Sequence, residues 1–99
     1  MSNSKLVSYT KISPHKNPRK NSTYNPTGKI TKITIHHMAG NLSVESCGNV
    51  FQTREASANY GIDSNGKVGM YVEEKDRSWA SSDRSNDYKA VTIEVANDG

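Results

Sequence analysis

Two adjacent histidines, His36 and His37, and the carboxylate of Glu94 are the residues whose types could carry out hydrolytic chemistry. Histidine is the commonest metal ligand and a frequent acid–base group near neutral pH. A carboxylate beside a metal-bound water is what a general base in hydrolysis requires. An isolated histidine pair is a weak motif, however, and Glu94 could equally be an exposed glutamate paired with a lysine. What these residues can do therefore depends on the elements that position them.

The histidines end a predicted strand that runs from Lys29 to His37 and is rich in β-branched residues. Because side chains alternate along a strand, Ile33, Ile35 and His37 share one face and His36 lies on the other. We expect His37 to be packed with the isoleucines. We expect His36 to emerge at the carboxyl end of the strand, where sites built on sheets tend to open.

Glu94 lies in a second predicted strand, residues 90–96, on the face opposite Val91, Ile93 and Val95. A strand so rich in β-branched residues is typical of the centre of a sheet and needs cover on both faces. The sequence provides one evident helix, which can cover only one face. We therefore predict an α/β domain that is truncated after its central strand.

That helix is predicted from Val44 to Arg54, with Ser43 as its N-cap. Apolar residues at helical spacing, Cys47 among them, give it a buried face. Cys47 is therefore better explained as a core residue than as a ligand or nucleophile. It also has no partner for an internal disulfide, because it is the sole cysteine.

The rest of the chain contains one hairpin and two polar segments. Residues 59–63 and 68–72 flank Asn65-Gly66, a strong hairpin signal. Residues 73–86 are predicted to form a polar loop around Trp79, which could be either a sugar or peptide platform or a small core anchor. Residues 1–28 are predicted to form an extended arm that ends in a turn at residues 25–28.

Charge is distributed unevenly along the chain. Residues 1–44 contain seven Lys/Arg and no Asp/Glu, whereas residues 45–99 contain six Lys/Arg and ten Asp/Glu, for a net charge of +3. A basic arm suits a polyanion such as nucleic acid or an anionic cell wall, or it is simply solvated. No aromatic residues are interleaved to support base stacking. No membrane span or signal peptide is evident, which favours synthesis in the cytoplasm.

Four motifs in order resemble the amidase-2 family, which includes phage amidases and catalytic peptidoglycan recognition proteins. They are residues 33–40 (ITIHHMAG), 58–63 (ANYGID) with Asn65-Gly66, 78–80 (SWA), and Asn86-Asp87 leading to residues 91–95 (VTIEV). The resemblance covers residues 30–97, roughly the N-terminal two-thirds of the family domain. It divides the chain into an arm, residues 1–28, and a catalytic portion, residues 29–99.

The resemblance implies a mixed β-sheet flanked by helices. It also implies zinc-dependent hydrolysis of the amide between N-acetylmuramic acid and L-alanine in peptidoglycan. It also implies a role for individual residues: His36 as a zinc ligand, Glu94 as the base that activates water, Tyr60 as a catalytic groove tyrosine, and Trp79, Asn86 and His37 as groove residues. The other zinc ligands of the family have no match in this chain. Since catalytic zinc usually has three protein ligands, we expect these residues alone to bind zinc poorly and to be inactive.

The biological setting that the resemblance implies is that of a phage endolysin. Such a bacteriolytic enzyme is made in the cytoplasm and acts on the cell wall after release, with peptidoglycan as its partner rather than nucleic acid or membrane. Two other functions stay open from the residues. One is a peptidoglycan-binding module without catalysis, and the other is a nucleic-acid-binding protein that uses basic residues 1–44.

Overall fold

The computed structural model describes residues 3–38, 40–80 and 83–96, and its central element is a mixed five-stranded sheet. The elements are β1 (Tyr9–Thr10), β2 (Lys16–Pro18), β3 (Lys32–His37), α1 (Val44–Thr53), β4 (Tyr60–Ile62), β5 (Val68–Met70), β6 (Asp76–Ser78), α2 (Arg84–Asp87) and β7 (Ala90–Val95). Their arrangement confirms the predicted mixed α/β class. Four residues of the resemblance, Ala39, Ser81, Ser82 and Asn97, lie outside the described ranges.

The sheet has the strand order β1-β5-β4-β7-β3, so β7 is internal and β3 is an edge. Strand β7 runs parallel to both β3 and β4, while β5 is antiparallel to β4 and parallel to β1. A separate antiparallel pair joins β2 to β6. Among the described helices, none has the length and apolar character needed to cross a membrane.

Helix α1 begins as the sequence predicts. The Ser43 hydroxyl accepts a hydrogen bond from the backbone N–H of Ser46 at 3.1 Å, which satisfies one of the free donors at the start of the helix. Val44, Cys47 and Phe51 are buried on its inner side and pack with Tyr71 in the main hydrophobic cluster. The helical stripe read from the sequence is therefore the core side of α1.

Helix α1 covers the sheet face that carries Thr34, His36, Thr92 and Glu94, which we call the polar face. The opposite face, with Ile33, Ile35, Tyr60, Ile62, Val91 and Ile93, is the aliphatic face. The expectation that Ile33, Ile35 and His37 are packed is wrong at the edge strand. Ile33 is 70% and Ile35 64% exposed, and His37 is exposed too.

Two glycines explain why α1 packs on the polar face. Gly61 and Gly69 lie under the Tyr71 ring, and a Cβ at either position would come within 2.8 Å or 2.7 Å of Tyr71 atoms. The absence of side chains there lets Tyr71 lie flat against the sheet and donate a hydrogen bond to the Val44 carbonyl at 2.7 Å. The two glycines thus let Tyr71 and α1 approach this face of the sheet closely, which strand alternation did not predict.

The predicted hairpin between β4 and β5 is confirmed. Gly66 has a φ of 81°, a left-handed conformation that glycine adopts without steric cost. The Asp63 carboxylate accepts hydrogen bonds from the backbone N–H groups of Asn65 and Lys67, each at 3.0 Å. The turn at residues 25–28 is also present, with Gly28 donating to the Asn25 carbonyl.

The N-terminal segment differs from the extended arm expected of it. It contributes β1 and β2 and buries Arg19, which is 1% exposed. The Arg19 guanidinium donates hydrogen bonds to five backbone carbonyls, those of Glu74, Asp76, Asp87, Tyr88 and Ala90. These contacts are made to distant residues, so they leave no periodic signal in the sequence.

The segment predicted as a polar loop, residues 73–86, likewise contains regular structure. It includes β6, which pairs with β2, and the start of the short helix α2. Asp83 caps α2 by accepting a hydrogen bond from the Asn86 N–H at 3.3 Å. The prediction missed β6 because its partner, β2, lies about sixty residues earlier in a stretch without strand alternation.

Candidate active site

His36 and Glu94 are brought side by side on the polar face. They are register partners in the parallel pair of β3 and β7, so their side chains leave the sheet in the same direction. Both are intermediate in exposure. The sequence predicted this neighbourhood only on the condition that the two strands pair directly, and they do.

The environment of Glu94 is suited to proton transfer. Burial raises the pKa of its carboxyl above the ordinary value, while the nearby His36 lowers it in part. A raised pKa means that Glu94 holds a proton more readily than a solvated glutamate does. A carboxylate that both accepts and returns a proton benefits from such a shift toward neutral pH.

A cleft of about 280 Å³ opens beside Glu94, between the sheet and α1. Its lining combines an apolar wall with two charged side chains, and its members are His37, Met38, Leu42, Cys47, Val50, Phe51, Arg54, Ala56 and Glu94. The helix stripe indicated several wall residues in advance. No sequence signal pointed to Arg54, the C-cap of α1, because its place in the cleft depends on how α1 packs against β7.

Cys47 lies in this cleft but is a core residue in character, as the sequence predicted. It is 3% exposed, and burial, followed by the charge of Glu94, raises the pKa of its thiol to about 11. A thiol with this pKa is protonated near neutral pH and is therefore a poor nucleophile and a poor metal ligand.

Asn86 lies next to the polar face, while Trp79 is engaged elsewhere. The Asn86 amide donates a hydrogen bond to the Thr34 hydroxyl at 3.2 Å, two residues before His36. The indole N–H of Trp79 donates to the Asn17 side chain at 2.7 Å, and its ring packs against His15 at 5.2 Å between centroids. Of the two open interpretations of Trp79, these contacts favour the core anchor.

Tyr60 is separated from His36 and Glu94 because it projects from the aliphatic face. Its hydroxyl donates a hydrogen bond to Glu74 and accepts one from the Ser4 N–H at 2.8 Å. Burial and the Glu74 contact raise the pKa of Tyr60 to about 12. Tyr60 borders a second cavity, of about 490 Å³, that is lined mainly by aliphatic side chains and lies across the sheet from Glu94.

A buried network that the sequence did not predict fixes β7 just before Glu94. The Asn59 amide, 0% exposed, accepts a hydrogen bond from the Thr92 N–H at 3.0 Å. Its NH₂ group donates to three carbonyls at 3.2 Å, those of Val72, Glu73 and Asp76. Thr92 also contacts the Ser78 hydroxyl. Such satisfied polar networks hold strand register firmly, which keeps Glu94 aligned with His36.

The described residues do not fit a complete zinc site. No group of three His, Cys, Asp or Glu side chains within the described ranges is arranged to hold a metal ion. Catalytic zinc usually takes three protein ligands. His36 has the right chemistry for one, whereas the protonated, buried Cys47 does not supply another.

Two solved structures share the fold of this chain. A mutant endolysin from Bacillus subtilis superimposes with a TM-score of 0.70 at 15% sequence identity, covering 99% of this chain. A selenomethionine derivative of AmpD superimposes with a TM-score of 0.66 at 16% identity, covering 96% of this chain. At these identities the likeness establishes the fold. The chain spans 63% of the length of each of these structures.

Sequence comparison extends the result from fold to family. A comparison with curated protein sequences finds no match. The profile of the N-acetylmuramoyl-L-alanine amidase family, by contrast, matches residues 26–99, which include β3 to β7 and therefore both His36 and Glu94. Because this match takes in most of the sequence, the chain belongs to the N-acetylmuramoyl-L-alanine amidase family.

Proposed function

We propose that the polar face hydrolyses the amide between the lactyl group of N-acetylmuramic acid and L-alanine in peptidoglycan. The observation that carries the proposal is the register pairing of His36 with Glu94 beside a cleft, in a chain of the amidase family. As the sequence resemblance implies, we propose a bacteriolytic, phage-type setting in which the protein reaches the wall after synthesis in the cytoplasm; the fold that it shares with an endolysin is compatible with this setting.

In the proposed reaction, Glu94 is the general base. It takes a proton from the attacking water as the new C–O bond forms at the amide carbon. It then gives that proton to the nitrogen as the C–N bond breaks, which releases the free amine of L-alanine. The raised pKa of Glu94 suits the second step, because the protonated carboxyl is the donor.

We propose zinc as the cofactor, with His36 as one ligand. Among the described residues, no group of three His, Cys, Asp or Glu side chains completes the site around His36. The groove roles of Asn86 and His37 are supported by their position beside the polar face and the cleft. The catalytic role of Tyr60 and the groove role of Trp79 stay predictions from the resemblance, since neither side chain points toward Glu94.

The test incubates the chain with a purified muramyl peptide at saturating zinc and detects the released L-alanine amine by mass spectrometry. Saturating zinc offsets the weak zinc affinity expected of a single ligand, so under these conditions we expect slow turnover in place of the inactivity expected from the sequence. Glu94→Gln lowers that rate by at least about 100-fold because the base is lost. Glu55→Gln, at an exposed position just beyond α1, serves as the matched control and is expected to keep the parent rate. Equal rates for parent and Glu94→Gln would contradict the assignment.

A second candidate function is a non-catalytic peptidoglycan-binding module, favoured by the lack of a three-ligand group among the described residues. The same assay separates the two. Muramyl peptide that binds without any product at saturating zinc contradicts hydrolysis by this chain and supports the module. That outcome also matches the inactivity expected from the sequence.

A further inference from the structure

Four lysines lie around the amino ends of β3 and β7, and we call them the basic cluster: Lys20, Lys29, Lys32 and Lys89. Three of them are exposed, and Lys89 is half-buried. Lys32 begins β3, whereas His36 lies near the other end of the strand, about 13 Å further along it. The basic cluster is therefore separate from the Glu94 cleft, and the proposed hydrolysis does not use it.

The buried side chain of Asn25 holds two of these lysines in place. Asn25 is 5% exposed, and its NH₂ group donates to the Lys29 carbonyl at 3.0 Å and to the Tyr88 carbonyl at 2.7 Å. Because Lys89 directly follows Tyr88, these bonds fix the backbone at two cluster positions around one amide.

Backbone contacts join the other two lysines to this arrangement. The Lys89 carbonyl accepts a hydrogen bond from the Lys32 N–H at 3.2 Å. A Cβ placed on Gly28, directly before Lys29, would lie 3.3 Å from the Cβ of Lys20. The four side chains thus start from neighbouring backbone positions, although they come from separate stretches of the chain.

The charge of the basic cluster is not balanced by nearby acids. None of the ion pairs in the described part of the chain involves a cluster lysine. Residues 19–37, which contain three of the lysines, have no Asp or Glu. Near Lys89, Asp83 caps α2 and Asp87 is fully buried beside Arg77. The like charges therefore repel one another, and an anionic partner relieves that repulsion.

We propose that the basic cluster binds an anionic polymer of the bacterial cell wall whose charges are phosphodiesters. The choice of a wall polymer rests on the function proposed above, since that function brings the chain to the wall. Lysine suits the contact because its ammonium is a compact point charge that binds phosphate without the fixed geometry of a guanidinium. With the cluster on the polymer, the opposite end of β3 and β7 stays free to present Glu94 to peptidoglycan.

Nucleic acid carries the same kind of charge, but the surface beside the cluster does not favour bases. The rings of Tyr24 and Tyr88 stack on each other with centroids 5.1 Å apart, and Tyr88 is 7% exposed. These aromatic side chains are thus already paired within the chain. Since stacking on aromatic side chains contributes much of the affinity for single strands, the cluster favours a polymer without bases.

The test titrates the chain with fluorescently labelled poly(glycerol phosphate) at several NaCl concentrations and measures binding by anisotropy. Each phosphate contact releases counterions, so the logarithm of the association constant falls with that of the salt concentration, by about 0.7 per contact for a single-stranded polyanion. We expect a slope of about −2.8 for the parent, from four contacts, and of about −1.4 for Lys29→Gln/Lys32→Gln.

The matched control is Lys5→Gln/Lys67→Gln, which removes the same charge from two exposed positions that precede β1 and β5, at the other edge of the sheet. We expect it to keep the parent's slope. Both double variants replace exposed side chains and leave the Asn25 hydrogen bonds in place, so both are expected to fold. Equal slopes for the two double variants would mean that only net charge matters, which overturns the role of the cluster.

A single-stranded oligonucleotide with the same number of phosphates distinguishes the two kinds of polymer. We expect it to bind no more tightly than poly(glycerol phosphate). Binding that is tighter by about tenfold or more would identify nucleic acid as the partner and overturn the wall polymer.

The hydrolysis assay with muramyl peptide, which carries no phosphate, tests the proposed function separately. Polymer binding with the expected slopes but without release of L-alanine would contradict the proposed function and support the basic cluster. Release of L-alanine without salt-dependent polymer binding would support the function and overturn the role of the cluster.

Discussion

The two faces of the sheet differ in burial, and it is the polar face, not the aliphatic one, that the helix covers. The polar face, with His36 and Glu94, is covered by α1 and borders the main hydrophobic cluster. The aliphatic face is exposed along the edge strand at Ile33 and Ile35. Alternation in a strand therefore separates two sets of side chains correctly but does not say which set is buried. In this chain, the glycines under Tyr71 decide the matter.

The largest expected difference between the faces is in packing. Phe51→Ala removes a side chain that is 7% exposed and packs edge-on against Tyr71, so we expect a loss of about 3–5 kcal/mol of unfolding free energy. Ile33→Ala on the exposed edge should cost no more than about 0.5 kcal/mol. Urea unfolding of both variants measures the contrast, and similar losses would mean that the aliphatic face is packed in solution.

A smaller contrast concerns the two tyrosine hydroxyls. Tyr71→Phe removes the side-chain donor to the buried Val44 carbonyl, which we expect to cost about 1–1.5 kcal/mol. Tyr60→Phe releases Glu74 and the Ser4 N–H, both only partly buried and able to bond water instead, so about 1 kcal/mol or less is expected. Thermal unfolding of the pair provides the measurement. A larger loss of unfolding free energy in Tyr60→Phe than in Tyr71→Phe would mean that the tyrosine hydrogen bonds on the aliphatic face contribute more to stability than the one on the polar face.

The last contrast appears only at alkaline pH and concerns Cys47, on the side of α1 that covers the polar face. Its folded pKa of about 11 lies above the ordinary 9.0, so the folded state retains the proton longer than the unfolded chain. The contribution of the thiol to stability is therefore complete below pH 9.0 and is lost as the pH rises toward 11.

Two measurements check this behaviour. Ellman's reagent at pH 8 should react slowly with the native chain and rapidly in urea, because little thiolate is present in the folded state. Between pH 9 and 11, the unfolding free energy of Cys47→Ala should fall less than that of the parent. Comparing the two chains corrects for the tyrosines, which titrate in the same range in both. Fast labelling of the native chain at pH 8 would show that the cleft exposes Cys47.

The features that the sequence predicts correctly are those set by neighbouring residues. The Ser43 cap, the helical stripe with Cys47 and the Asn65-Gly66 turn all depend on contacts within a few positions. The pairing of His36 with Glu94 was predicted only conditionally, because sequence alternation fixes faces but not strand order. The family resemblance assigned both residues to one catalytic site.

The features that the sequence missed depend on distant partners. Arg54 enters the cleft because of how α1 meets β7, and Trp79 turns toward Asn17 because β6 pairs with β2. The placement of Tyr60 follows from the register of β4 against β7, in which its partner is Ile93 rather than Glu94. No window of local sequence contains this information.

The buried guanidinium of Arg19 sets a limit on how the chain can be shortened. The family match begins at residue 26, and Arg19 lies before it. The Arg19 guanidinium nevertheless donates to carbonyls in three places: the β5–β6 connection, β6 itself, and the stretch from the end of α2 to the start of β7. A truncation at residue 26 would leave five carbonyls without this donor, and three of them lie between the end of α2 and the first residue of β7, the strand that carries Glu94. The packed unit that holds Glu94 in place is therefore longer than the region that the family profile matches.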